Sequence, residues 1–395
     1  MKRGFVKKDF FIIISILFLI VALTFYFLDD KLVKVGYAVA DCVDADADGF
    51  YNENCTLIDL GCEDESVVIS GDYIQTGVDV DENYLVYKDD SSGSWEVYLY
   101  DSTSSSLGSG INPRINYPYV VWQSLDSGVW QINLYDISSA SSTMITSGNS
   151  HKVSPDVSAD KIVWSDNSAG NWDIYQYDLT TGEQSVVISG EGNQFSPRVY
   201  EDYIVYLDDT SGTKKVYLYT SYTGTSLEIG SSDGSDNAID VSSDYIVWQS
   251  NVEGLFEINV YSLSSGEVIS LGDSVNDQRL PQVNENYIIW MQMNGNNYDL
   301  YYYDFSSAES YQLTDNGYDN LMPSLSDNEV YFVLNDDIYY MGINPACDSV
   351  ALGDCDDDDI TINSDAIEEC DEIDNDCDGV VDESCDNETV SVECV

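Results

Sequence analysis

A repeat of the form P-x-V-x-x-x-Y-I-V-W, an aromatic eight residues on, then I-Y-x-Y-D runs through most of this chain. It is spelled out best from Pro155 to Glu183, PDVSADKIVWSDNSAGNWDIYQYDLTTGE. Anchored on the residue that closes the I-V-W triplet, the copies fall at Tyr87, Trp122, Trp164, Tyr206, Trp248, Trp290 and Phe332. The first interval is 35 residues and the other five are 42. A unit of that length supplies one four-stranded sheet but no core of its own, so the units must bury their faces against one another. Seven such units predict an all-β fold, a seven-bladed β-propeller.

Other landmarks keep fixed offsets from the anchor. Nine residues before it stand Pro113, Pro155, Pro197, Pro281 and Pro323, with Val78 and Ile239 in the other two copies. Eight residues after it stand Trp95, Trp130, Trp172, Lys214, Phe256 and Tyr298, and the last copy has a shorter hairpin. The runs between are β-branched and aromatic, as strands prefer. Each unit therefore reads as strand a (P-x-V), strand b (Y-I-V-W), strand c (I-Y-x-Y-D), a T-G-E or S-S-G turn, and strand d (S-V-V-I-S-G). A proline is expected at the first residue of strand a, where no ladder bond is lost.

The sequence SVVISG occurs twice, at Ser66 and Ser185, each time 21 residues before an anchor. The chain thus enters on a strand d, whereas the last unit ends after its strand c. Val67 to Ile69 should complete the blade begun at Pro323, a velcro closure that leaves no open sheet edge between first and last blades. The ends near Glu65 and Ile343 should then be neighbours.

The chain has 395 residues, 72 acidic and 14 basic, with net charge −58, which excludes nucleic acid as a partner. Nine cysteines all lie outside the repeats. Cys42, Cys55 and Cys62 precede them, and Cys347, Cys355, Cys370, Cys377, Cys385 and Cys394 follow. This pattern points to disulfide-stapled appendages in an oxidising compartment. Zinc is the alternative, but the neighbours are Asp and Asn, and the only histidine is His151.

Phe10 to Leu28 is a run of 19 uncharged residues preceded by four basic ones. Its length suits a single transmembrane helix with residues 1–9 in the cytoplasm and the bulk of the chain outside. The competing reading is a signal peptide cleaved after Ala40, giving a secreted protein. The expected division is a membrane segment 10–28, a linker 29–40, a Cys/Asp-rich segment 41–65, the propeller 66–343 and a second Cys/Asp-rich segment 344–395.

Asp44, Asp46 and Asp48 alternate ahead of Gly49, as in the first half of a calcium loop. Such a run points carboxylates at one centre around a sharp turn, and hard Ca²⁺ takes several oxygens at about 2.4 Å. The pattern returns at Asp374, Asp376 and Asp378. DNDCDGVVDESC (Asp374 to Cys385) matches DADADGFYNENC (Asp44 to Cys55) at Asp in places one, three and five, Gly in six, Asn or Asp in nine, Glu in ten and Cys in twelve. Cys55 and Cys385 stand where a bidentate Glu is usual. Asn52 or Asp382, Glu53 or Glu383, and the carbonyls of Phe50 and Val380 are the candidates to complete the shells. The bland alternative is an acidic knot held by disulfides.

The segment GDCDDDDITINSDAIEECDEIDNDCDGVVDESC closely resembles the repeat of MopE-type metal-binding surface proteins, with Ile360 where that family usually has proline. Such repeats often begin with C-V-D-A-D-G-D-G-Y-Y, and DCVDADADGFY looks like that missing first half. Both loops also resemble thrombospondin type 3 calcium repeats. The resemblance implies one metal-binding module split by the propeller, with Ca²⁺ and a disulfide across the halves, involving Cys62 and Cys347, locking the closure. The propeller unit resembles the TolB-type blade, P-D-x-S-x-D-x-x-I-V-W…D-I-Y-x-x-D-L-x-T-G-E. This implies architecture and not activity, since propellers host binding proteins, peptidase gates and lyases alike.

Other constellations point to structure. The tyrosine pairs on strand c (Tyr98 and Tyr100, Tyr175 and Tyr177, Tyr217 and Tyr219, Tyr301 and Tyr303) are read as packing rather than a sugar platform. Ser124 to Trp130 resembles a sialidase-type Asp box but is read as a turn, and His151 as a loop residue. Lyases with this blade type rely on clustered histidines, which this chain lacks. The expectation is a membrane-anchored, extracytoplasmic, non-enzymatic scaffold with a small disulfide-rich Ca²⁺ module, binding a protein or glycan on a propeller face. The alternatives are a polysaccharide-acting enzyme using channel carboxylates and a TolB-like envelope-transport accessory.

Overall fold

The computed structural model describes residues 66–343, apart from 72, 233–237 and 273–274, together with the backbone of two short strands, Phe50–Asn52 and Ala351–Asp354. The chain divides into two compact units, Asp64–Ile343 and the pair Met1–Glu63 with Asn344–Val395. The first unit is seven four-stranded antiparallel sheets, one per repeat, as the period requires. Strands a, in order, are Gln75–Asp81, Ile111–Asn116, Lys152–Val157, Gln194–Tyr200, Ile239–Val241, Gln278–Val283 and Asn320–Ser326.

The closure is the one the sequence implies. Ser66–Ile69 is strand d of blade 7 and pairs antiparallel with Asp337–Gly342, matching Ser66 to Tyr340 and Val67 to Tyr339. The first and last strands of the propeller therefore share one sheet.

The anchors are the core. Tyr87, Trp122, Trp164, Tyr206, Trp248, Trp290 and Phe332 are all at most 3% exposed. Apolar clusters bridge neighbouring blades. Val163, Ile174 and Ile188 of blade 3 pack on Val199, Ile204 and Tyr206 of blade 4. Across the closure, Val333 and Ile338 pack on Val78, Leu85 and Tyr87. The first tyrosine of each strand c pair stacks on the anchor of its own blade, with ring centroids 5.4 Å apart for Tyr87–Tyr98 and 5.5 Å for Tyr206–Tyr217, and the second packs against an inter-blade cluster. They are packing groups, as read.

One expectation is corrected. The prolines stand in the interior of strand a, at a β-bulge where the pairing with strand b skips two residues, for example between Val153 and Asp156 and between Phe195 and Arg198. The residue before each proline has a left-handed backbone: Asn112, Ser154, Ser196, Leu280 and Met322 all have φ between 51° and 54°, and Gly77 has 66°. Proline is tolerated because the bulge leaves its missing N–H outside the ladder.

The two short repeats also have physical accounts. In the first, a three-residue turn joins strands c and d, and Gly110 alone links blade 1 to blade 2. A Cβ on Gly110 would lie 2.3 Å from the Trp122 ring, so only glycine fits this junction. In the last, the hairpin shrinks to Asn335 and Asp336, with φ of 53° and 70°, the two left-handed residues of a type I′ turn. Ser127 and Gly128 turn the hairpin of blade 2, so the Asp-box-like stretch is a turn.

In the second unit, Phe50–Asn52 pairs in parallel with Ala351–Asp354, matching Phe50 to Ala351 and Tyr51 to Leu352. Segments on either side of the propeller thus share one small sheet. Phe10–Leu28 and all nine cysteines lie outside the described residues, among which no helix is long and apolar enough to cross a membrane.

Candidate functional site

Each strand a runs from the face carrying the d–a loops and b–c hairpins, here the upper face, to the face carrying the a–b and c–d turns. All seven strands a contribute to one axial cavity of about 70 Å³, lined by bulge residues, prolines and, from the position after the proline, Arg114, Arg198, Asp240 and Gln282. That last position reads Asp79, Arg114, Asp156, Arg198, Asp240, Gln282 and Ser324 around the ring. Charges alternate over five blades and give way to neutral side chains over the last two.

Collar side chains are held by neighbouring charges and by backbone groups. The Arg114 guanidinium lies 3.1 Å from Asp79 and 4.0 Å from Asp156. Arg198, 3% exposed, donates to the Pro197 carbonyl at 3.0 Å. The carboxylates accept backbone N–H groups from the next blade: Asp79 from Ile115 (2.8 Å), Asp156 from Val199 (2.7 Å) and Asp240 from Val283 (3.0 Å). Gln282 accepts likewise from Leu325 at 3.2 Å. Arginine cannot accept, so the two arginines contribute charge in place of this bond.

The titrations follow from burial. Burial opposes the charge of Arg114, yet Asp79, Asp156 and Asp240 hold its pKa above the ordinary value. Burial and the like charge of Arg114 bring Arg198 down to about 10, against the pull of Asp156 and Asp240. Burial raises Asp156 and pushes Asp240 up to about 6, although both face arginines and backbone donors. The folded state therefore binds a proton at Asp240 between about pH 4 and pH 6, where the unfolded chain has released it. Asp240 thus favours folding most below that window and loses its contribution as pH rises through 6. D240N, which keeps the acceptor for Val283, is expected to stabilise the protein by about 1–3 kcal/mol at pH 7.5 relative to wild type. The gain should vanish near pH 4. Parallel urea melts across that range check this, and equal stability at every pH would show that the Asp240 charge carries no cost.

A second set of cross-blade bonds lies on the upper face. The N–H of the residue eight after the anchor donates to a side chain four before the next bulge proline: Trp130 to His151 Nδ1 (3.2 Å), Trp172 to Asn193 (3.2 Å), Phe256 to Asp277 (3.0 Å) and Tyr298 to Asp319 (2.9 Å). His151 is thus an acceptor in a repeated staple, a role that its place in a loop did not reveal. H151N should leave the melting temperature unchanged, whereas H151A should cost about 1 kcal/mol. Equal losses in thermal melts of the two variants would remove the imidazole from this role.

The collar was visible as a periodic position, one after the proline, but each charge taken singly looks like a solvated surface residue. The expected metal ligands are placed differently. Asp44, Asp46, Asp48, Glu53, Asp374, Asp376, Asp378, Val380, Asp382 and Glu383 lie outside the described residues, and Phe50 and Asn52 are described only as strand backbone. Among the described residues no group of three or more His, Cys, Asp or Glu is arranged to hold a metal.

Residues 354–383 match the MopE family described as "Putative metal-binding motif". That span contains all six candidates of the second loop, so the chain carries a MopE-type motif after its propeller in sequence. No curated protein matches the sequence. Among solved structures, the propeller domain of the Trilobed protease from Pyrococcus furiosus, described as having an open velcro topology, is 12% identical. It covers 68% of this chain and 95% of that one with a TM-score of 0.55. An acylaminoacyl peptidase from Pyrococcus horikoshii is 11% identical over 69% of this chain, with a TM-score of 0.53; this chain spans 52% of its length. TolB from Acinetobacter baumannii is 14% identical over 68% of this chain and 78% of that one, with a TM-score of 0.43. At these identities the likeness is one of fold. The class is a velcro-closed seven-bladed propeller, similar in fold to peptidase propellers and joined to a MopE-type motif.

Proposed function

We propose that this protein is a membrane-anchored, extracytoplasmic binding scaffold without catalytic activity, holding a protein or glycan on a propeller face and steadied by Ca²⁺ in its split module. The observation that carries the reading is the axial cavity. At about 70 Å³ it is far below the roughly 300–1,000 Å³ of ligand pockets, so a polysaccharide cannot reach the collar carboxylates as general acid and base. Those carboxylates are moreover engaged by arginines and backbone donors. The upper face supports binding: Tyr73, Ile74, Leu125, Val252, Val275 and Tyr318 are exposed there, against Tyr117 and Tyr222 on the lower face.

The family's name refers to copper. The two loops of this chain offer carboxylates and carbonyls, a hard oxygen set that suits Ca²⁺ better than copper. Calorimetric titration of Ca²⁺ and, separately, Cu²⁺ into the chelator-stripped chain from Asp41 to Val395 tests the module. Saturable Ca²⁺ binding with a raised melting temperature is expected, because a ligand bound only by the folded state stabilises it. Tighter Cu²⁺ binding with no response to Ca²⁺ would overturn the assignment. Release of reducing ends from polysaccharides, abolished by D156N or D240N, would overturn the non-catalytic reading.

A further inference from the structure

The seven blades are internal controls for one another, and one position sets blade 3 apart. The residue after the anchor is Lys88, Gln123, Ser165, Leu207, Gln249, Met291 or Val333 in turn. Three of the long ones fill the gap to the next blade and accept its bulge N–H: Gln123 from Ser154 (2.7 Å), Gln249 from Leu280 (3.0 Å) and Met291 from Met322 (3.3 Å). Ser165 makes the same bond to Ser196 at 3.1 Å with a far smaller side chain. The space left above it adjoins a cleft of about 350 Å³ between blades 3 and 4, open on the upper face.

The walls of this cleft include the rings of Trp172 and Phe195, both partly exposed. Its charges are opposite and engaged. Asp209 accepts both the N–H and the side-chain amide of Asn193, at 2.7 and 2.9 Å, bonds that keep its carboxyl below the usual range. The Lys214 ammonium lies 5.7 Å from the Phe195 ring centroid. Deeper in lie two hydroxyls. Ser165 accepts from Ser196 and is fully buried, whereas Ser154 is 8% exposed and its hydroxyl makes no hydrogen bond seen among the described residues. Flat apolar walls, hydroxyls beneath them and no net charge suit a ring with apolar C–H faces and an edge of hydroxyls.

We propose that the cleft between blades 3 and 4 binds a neutral sugar ring, stacked on Trp172 and Phe195 with its hydroxyl edge turned toward Ser154. The proposal rests on the scaffold reading and names the ligand of its upper face. It requires nothing of the collar or of the metal-binding motif.

The test titrates the full-length chain with glucose, galactose, mannose and N-acetylglucosamine, following saturation-transfer NMR and tryptophan fluorescence. At least one sugar should bind saturably. S165Q installs the residue that blades 2 and 5 already use, so it should fold normally. It should weaken binding roughly tenfold or more by filling the cleft. W172A should do the same by removing one wall. Unchanged affinity in S165Q with its melting temperature retained would overturn the site while leaving a binding scaffold intact. Failure of all four sugars would overturn the ligand class. Tighter binding of glucuronate than of glucose would overturn the neutrality argument.

Discussion

Deleting Asp64 to Gly71 is expected to abolish the cooperative unfolding transition of the propeller. The deletion removes strand d from blade 7, exposes the ladder of Asp337–Gly342 and strips cover from the cluster that joins blade 7 to blade 1. Among the described residues no other strand can substitute, because each is committed to its own sheet. An open edge of this kind also templates aggregation. Moving the lost strand should rescue the fold. Appending a T-G-E turn and SVVIS after Ile343 rebuilds blade 7 in the order that the other blades use. Urea melts of the three proteins decide the matter, and a deletion variant with an unchanged midpoint would show that the closure contributes nothing.

Removing Arg198 should have the next largest effect. R198M keeps the length of the side chain but leaves Asp156 and Asp240 with Arg114 as the collar's remaining cation. Breaking a buried charge pair on one side costs about 3–5 kcal/mol, because the partner charge stays buried without compensation. The remedy follows from the same argument: D240N should stabilise the R198M protein by clearly more than it stabilises wild type, because Asp240 has then lost the nearby charge that offsets its burial. Additive effects in this double-mutant cycle would mean that the two groups do not interact.

The sequence and the structure agree where a rule repeats, and they part where a position departs from it. Seven anchors with a shared period made the propeller legible, and the second SVVISG made the closure legible. The bulge was not legible, since a proline before an extended run looks the same at a strand's start and at an interior kink. What distinguishes them is the left-handed residue before it, which here is Asn, Ser, Leu or Met as readily as Gly. The cleft between blades 3 and 4 was hidden for the opposite reason. Ser165 is unremarkable in a list of residues and becomes informative only when Gln123, Gln249 and Met291 are seen to fill the same gap. The MopE-type motif was noticeable because its Asp, Gly and Cys spacing is local and needs no distant partner, whereas the ligands assigned to either loop lie outside the described residues or are described only as backbone.

The closure also has a mechanical consequence. Ser66 and Tyr340 lie opposite each other in an antiparallel pair, so the segments that flank the propeller leave blade 7 from the same end of two neighbouring strands. Tension between those segments would peel the closing strand away one hydrogen bond at a time, the weakest geometry in which a ladder can be loaded. The same two segments pair with each other at Phe50–Asn52 and Ala351–Asp354. That pairing stands ahead of the blade in the path of any pull from outside it, so the load falls first on the small sheet and the propeller is spared until it gives way.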